Sequence, residues 1–222
     1  MSGTDRRTIK METYKSCCER SCIDCGNAAC QYGGTFPEFC SGARASEETF
    51  RLVIEKYNEP ENLKFMQTAA AVEYEGYCKL TRVEEIADFA GRMGYKRLGI
   101  ATCVGLIREA RTMARYLRHK GFEVFGIGCK VGQIPKQDLG IPEECNAIGV
   151  SICNPILQAE LLGQAGTEFN IVMGLCVGHD TVFYKYSQAP VTTLITKDRV
   201  TCHNPAAVLY NAETFYKKKL FD

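Results

Sequence analysis

The sequence predicts an α/β protein: a parallel, Rossmann-like or doubly wound sheet of about five strands, preceded by helices and a small cysteine-rich module. Three observations carry this. From Tyr95 onward, short apolar runs alternate with helical stretches, the pattern of repeated βα units. Four successive runs end on a cysteine: Cys103, Cys129, Cys153 and Cys176. Residues 1–45 hold six cysteines interspersed with glycine and proline, without apolar periodicity.

Composition narrows the function. A chain of 222 residues, 45% hydrophobic, fits one large domain or a domain plus a small module. With 27 basic against 26 acidic residues there is no electrostatic reason to expect nucleic acid or an anionic membrane as partner. No apolar run approaches the ~18 residues of a membrane span. The polar stretch Met1–Lys10 lacks the apolar core of a signal peptide, so a cytoplasmic location is expected. Cysteine is the outlier, at 13 residues, and an odd number cannot all pair. In a reducing compartment such clusters bind metal or do chemistry more often than they form disulfides. So many thiols also point to an anaerobic host.

The first expected domain is residues 1–45. Its core spacing is Cys22-x2-Cys25-x4-Cys30-x9-Cys40, with Cys17 and Cys18 as further thiols. A segment without a core of its own needs a staple, and a metal is the usual one where disulfides are reduced. Four thiolates at this spacing suit an iron–sulfur cluster or, alternatively, zinc.

The second expected domain is residues 46–222, with a helical lead-in over 46–95 and the sheet over 96–222. Ser46 to Tyr57 reads as a helix with Phe50, Val53, Ile54 and Tyr57 on one face, broken at Asn58-Glu59-Pro60. A second helix runs through Leu63, Phe65, Met66, Ala70 and Val72 toward Gly76; its triple alanine predicts close helix packing. Thr81 and Glu84 form a capping box for a third helix, with Gly94 as its C-cap. Cys78, between helices, reads as packing.

Five strands follow: Leu98 to Thr102, Glu123 to Gly128, Ala147 to Ile152, Asn170 to Leu175, and Val191 to Thr196. Asn154-Pro155 supplies an N-cap and a proline at the first helical position, and His203-Asn204-Pro205 repeats the start. His119 reads as a cation on a helix C-terminus. Cys145 precedes a strand and is left out of the site.

The strand-end cysteines are the candidate rim. Parallel strands would turn all four thiols to one edge, where open α/β sheets bind ligands, and each lies near a helix N-terminus that favours thiolate. Four adjacent strand ends span ~14 Å at ~4.8 Å spacing. Zinc needs its sulfurs within about 4 Å of one another, so one zinc cannot collect all four. Cys103, Cys153 and Cys176 are the first choice of ligands, with Cys129 and Cys202 as candidates for a fourth. In Gly174-Leu175-Cys176-Val177-Gly178-His179-Asp180, His179 is a candidate ligand or proton donor and Asp180 its orienter; His203 beside Cys202 is a weaker parallel. Neither a phosphate-binding lysine loop nor Gly-x-Gly-x-x-Gly follows the first strand, so a nucleotide cofactor has no support.

These motifs together resemble a family of uncharacterised, predicted metal-binding proteins of anaerobic bacteria and archaea, catalogued as a domain of unknown function. The likeness runs through Cys22-x2-Cys25-x4-Cys30 and Cys40, Gly99 to Cys103, Cys153-Asn154-Pro155, Gly174 to Asp180, and Ala189 to Pro205. Ser41, where proline is expected, and Cys202 depart from it. The resemblance implies metal binding through these cysteines and assigns no reaction.

Three readings stay open. The first is an iron–sulfur protein in electron transfer or small-molecule redox chemistry, partnered by a small molecule or a redox protein. The second is a zinc-structured protein that binds or senses a metal or metalloid. The third is a thiol enzyme in sulfur transfer. Metal identity, enzymatic activity and oligomeric state are not decided by spacing.

Overall fold

A computed structural model describes residues 20–222, so Cys17 and Cys18 lie outside the described residues. The chain divides into two compact units, Met1–Leu63 and Lys64–Asp222. In the first, a 3-10 turn over Cys22–Asp24 precedes α1 (Ala29–Tyr32) and α2 (Glu47–Tyr57). Ser46 caps α2 by accepting from the Thr49 N–H at 3.2 Å, as its residue type and place predict. The expected apolar face of α2 is there but open: Phe50, Val53, Ile54 and Tyr57 are all exposed. Ala29 is the one buried hydrophobic residue of this unit among the described residues, so the unit has little core to offer that face.

The second unit is built on a parallel sheet. Helix α3 (Pro60–Gly76) leads in, then α4 (Arg82–Met93). The triple alanine of α3 does not make the expected close packing, since Ala69 and Ala70 are exposed; Thr68 and Val72 are the buried side chains instead. The capping box of α4 forms as predicted, with the Glu84 carboxylate accepting from the Thr81 N–H at 2.8 Å, and Gly94 closes the helix at φ 84°.

The strands are β1 (Arg97–Thr102), β2 (Glu123–Gly128), β3 (Phe169–Met173) and β4 (Val191–Ile195), in the order β2-β1-β3-β4, every pair parallel. They are linked by α5 (Ile107–His119), α6 (Pro155–Gln164) and α7 (His179–Tyr186). Alternate strand residues feed two cores. Leu98, Ile100, Ile171 and Met173 pack with Ile86, Ala90, Met113 and Leu117 of α4 and α5. Ala101 and Val172 pack with Ala159, Leu162 and Phe183 of α6 and α7. Each fully buried leucine or phenylalanine contributes about 1.5–3 kcal/mol. Two short helices, α8 (Ala206–Tyr210) and α9 (Lys217–Phe221), end the chain.

The expected count of about five strands is corrected to four among the described residues. The apolar run 147–152 forms the end of a 3-10 turn (Glu143–Ile148) and one isolated antiparallel bridge, Pro135 with Ser151. Gly149 sits at φ 110°, outside extended backbone, and Ile148 and Val150 are 83% and 65% exposed. A strand needs both a ladder and a buried face, and this run has neither. Both neighbours of β1 are already taken, by β2 and β3.

Candidate functional site

The strand order places a switch between β1 and β3: the chain leaves β1 toward β2 on one side, then returns to continue on the other. The thiols gather at this carboxyl edge. Cys103 follows β1 directly and caps a 3-10 turn, its Sγ accepting from the Gly105 N–H at 3.4 Å. Cys129 follows β2, is buried, and its Sγ accepts from the Val104 N–H at 3.4 Å. Cys153 arrives on a loop rather than on a strand. The Asn154 N–H donates to the Cys129 carbonyl at 2.7 Å, which brings Cys153 beside Cys129. The predicted cap then operates: Asn154 Oδ1 accepts from the Leu157 N–H at 3.1 Å with Pro155 in the first turn.

The result is a row with Cys129 between Cys103 and Cys153, near enough to each for the thiols to perturb one another. Cys129, expected only as a fourth ligand, is thus the centre. Beneath the row lies Gln158, fully buried, which no motif marks. Its Nε2 donates to the carbonyls of Thr102 (3.2 Å) and Ile127 (2.7 Å), tying the ends of β1 and β2 together. Its Oε1 is buried and has no partner.

Charge is shared unequally along the row. The Cys129 thiol beside it, with the Gly105 N–H and the Lys197 ammonium, holds Cys103 down to about 5 against the opposing effect of burial. Cys153 is held down to about 4, chiefly by Cys129 and then by His179. Cys129 itself is pushed up, by Cys103, then Cys153, then burial. His179 is raised by its bond to Cys153, opposed by burial. The arrangement favours thiolate at the two ends of the row and thiol at its centre, with His179 beside Cys153.

Cys176 stands apart from the row. Met173 ends β3, and Gly174 at φ 68° turns the chain, so Cys176 lies beyond the strand end rather than on it. A Cβ at Gly174 would meet Leu106 Cδ1 at 2.0 Å, so only glycine fits. Arg199 donates to Cys176 Sγ at 3.2 Å and is raised by that contact. Asp180 accepts from the Thr181 N–H at 2.7 Å and lies next to the His179–Cys153 pair that it was expected to orient. Cys202 is exposed in a left-handed turn at φ 53°. His203 turns onto the backbone, its Nδ1 accepting from the Asp198 N–H at 3.1 Å. Lys197, Arg199 and Lys130 contribute the cations, and no motif marks them for that role; Lys130 follows Cys129 directly, while Lys197 and Arg199 reach the rim from the segment after β4.

In the first unit, Cys22, Cys25, Cys30 and Cys40 line one cavity of about 150 Å³ together with Phe36, Pro37 and Phe39. Asn27 organises the loop: its Oδ1 accepts from Cys25 Sγ (3.3 Å) and the Ala29 N–H (3.3 Å), and its Nδ2 donates to the Thr35 carbonyl (3.0 Å). Every described cysteine is a free thiol. Among the described residues, no three His, Cys, Asp or Glu side chains stand in the arrangement of a single-ion site.

Residues 40–194 match the family described as "Protein of unknown function (DUF1847)". The chain belongs to this family. The matched span holds all four rim cysteines and His179, begins at Cys40, and stops short of Cys202. The chain is also 43% identical over 182 residues to "Uncharacterized protein MJ0455" of Methanocaldococcus jannaschii, covering 82% of this chain and 93% of that protein. No described helix is long and apolar enough to cross a membrane.

Proposed function

We propose that this is a thiolate metal protein, with an iron–sulfur site in the N-terminal module and a reactive rim at the sheet edge, acting in electron transfer or small-molecule redox chemistry. The carrying observation is the sulfur row Cys103–Cys129–Cys153 at the switch point. The sheet order β2-β1-β3-β4, with helices on both faces, supports reading the fold as doubly wound and Rossmann-like.

The donors fit such a group. Soft thiolates select iron–sulfur clusters, zinc or copper(I) over hard cations. In the module, Cys22, Cys25, Cys30 and Cys40 would hold the metal; they line one cavity, and four thiolates at this spacing suit a cluster or one zinc ion. At the rim, Cys103, Cys129 and Cys153 are the candidate ligands, and Cys176 can join if Arg199 releases it. A bound cluster would supply one-electron chemistry. The chain's own contribution is to hold two sulfurs ionised, to keep His179 Nδ1 or Nε2 protonated beside Cys153 as a proton donor, and to bury Cys129 from water.

Anaerobic purification with metal and acid-labile sulfide analysis and a visible spectrum tests this. Iron with matching sulfide and a brown colour are expected; a colourless, iron-free protein overturns the iron–sulfur assignment, and stoichiometric zinc would place zinc in the module instead. One further observation favours a second reading. The Cys153–His179 pair is also the arrangement of an activated nucleophile, as a sulfur-transfer enzyme requires. Turnover that persists in metal-free protein and is abolished by Cys153→Ser would favour it.

A further inference from the structure

The rim carries cations that neither holding a metal nor polarising a thiol fully uses. Lys197 and Arg199 extend from the segment after β4 into the crevice at the switch point. A Cβ at Gly105 would lie 3.8 Å from Lys197 Nζ and 3.7 Å from Cys103 Sγ, and one at Gly174 would lie 3.6 Å from Lys197 Cε. The Lys197 side chain therefore runs alongside both glycines, with its ammonium beside the first thiol of the row. Arg199 brings its guanidinium to 3.2 Å from Cys176 through one nitrogen, Nη2. Two carboxylates are close in sequence, but neither is the partner of these cations among the described residues. Asp180 accepts from the Thr181 N–H, and Asp198 accepts from the Val200 N–H (2.8 Å) and the Thr201 hydroxyl (2.6 Å). Lys130 stands at the other end of the row, its ammonium bonded to the Ser151 carbonyl.

Ammonium and guanidinium groups match hard, charged oxygens, and the planar guanidinium can grip two of them. Thiols match soft atoms. Both kinds of group meet here across a few ångströms. We infer that the rim receives a compact oxyanion carrying a soft centre, its oxygens held by Lys197 and Arg199 and its soft atom facing the Cys103–Cys129–Cys153 row. Thiosulfate, with three oxygens and one terminal sulfur, is the simplest probe of that class, and sulfate is its hard counterpart. The inference rests on the rim being the reactive site proposed above, but it does not need metal to be bound there.

The test is calorimetric titration of the reduced full-length chain under anaerobic, low-salt conditions with sodium thiosulfate and, separately, sodium sulfate. Metal and sulfide are assayed on the same samples. Thiosulfate should saturate one site and bind at least about tenfold more tightly than sulfate, the difference one good charge-assisted or soft contact makes. The double variant K197M/R199M should weaken thiosulfate by about tenfold or more, and the charge-conserving K197R/R199K should recover part of that loss, since it keeps both charges but moves the planar fork. Bound thiosulfate should also shield Cys103 and Cys153 from alkylation, read by peptide mass spectrometry, which decides the matter on the native chain if either variant fails to fold. Absence of saturable binding, or undiminished binding in a folded K197M/R199M, overturns the inference. Equal affinity for sulfate overturns the soft-centre assignment. Full metal content without anion binding defeats this inference alone, whereas anion binding by a metal-free protein defeats the metal reading alone.

Discussion

Cys22, Cys25, Cys30 and Cys40 come from one short stretch with a single buried hydrophobic residue beside them, Ala29, whereas Cys103 comes from the β1–α5 junction and Cys129 and Cys153 from the two ends of the long β2–α6 connection of a packed sheet. The first set is close in sequence and has almost no core behind it. The second is distant in sequence and locked by strand register, by the Asn154–Cys129 backbone bond and by Gln158. Under the proposed function, the contrast makes the two thiol sets depend on metal in opposite ways. A set without a core needs its ligand in order to fold, while a set on a sheet exists before any ligand arrives.

The largest expected effect follows directly. Replacing Cys22 and Cys25 by serine should abolish metal at the module and leave residues 20–45 open to proteolysis, with the sheet intact; binding free energies of about 10–16 kcal/mol for structural zinc in small modules show how fully such folds depend on metal. Limited proteolysis with metal analysis checks it. Cleavage no faster than in the unmutated chain would break the contrast. Next comes Gly174→Ala. The new Cβ would clash with Leu106 at a backbone φ of 68°, so a loss of about 3 kcal/mol is expected, read as a lower denaturation midpoint.

A third prediction concerns pH. In metal-free, reduced protein, alkylation of Cys153 and Cys103 should persist down to about pH 4 and 5, since those are the values to which their thiols are lowered. Both fall below the ordinary thiol value of 9.0, so the stability they contribute is present above that value and is lost as pH falls through 5 and 4. His179 has the opposite sign: its folded value is raised above 6.5, so its contribution is present below that and is lost as pH rises through the raised value. His179→Gln should move the Cys153 alkylation midpoint upward and leave that of Cys103 in place; an unmoved Cys153 would show that the imidazolium does not hold the thiolate. The smallest effect is expected at Cys202→Ser: exposed, in a turn, it should change neither metal content nor the rim's alkylation profile.

Much of the fold was legible because it is written locally. The β2 boundaries agree with the expected ones, and β1 differs by one residue at its start, because apolar runs bounded by glycine and charge mark buried parallel strands. The Thr81–Glu84 box and Asn154-Pro155 act within four residues, so their geometry follows from residue type and spacing. Residues 147–152 failed for the converse reason. An apolar run becomes a strand only if a neighbour offers a ladder, and Gly149 turns the chain away from one. The Phe50–Tyr57 face was read correctly as a stripe, but a stripe does not say what covers it.

The site divides along the same line. That Cys103 and Cys129 close strands at one edge was readable from the sequence, because parallel βα repeats bring every strand's carboxyl end to the same side; Cys153 instead arrives on a loop and Cys176 lies past the end of β3. Which sulfurs touch was not. Cys129 became the centre of the row through strand order and one backbone bond from Asn154, while Gly174 carried Cys176 past the strand end to Arg199. The stretch Gly174–Asp180 thus owes its turn to its own glycines, but its chemistry to partners far along the chain, Cys153 for His179 and Arg199 for Cys176. Local sequence determines backbone conformation because those forces act over a few residues; thiol contacts and cation placement are long-range, and only the packed sheet decides them.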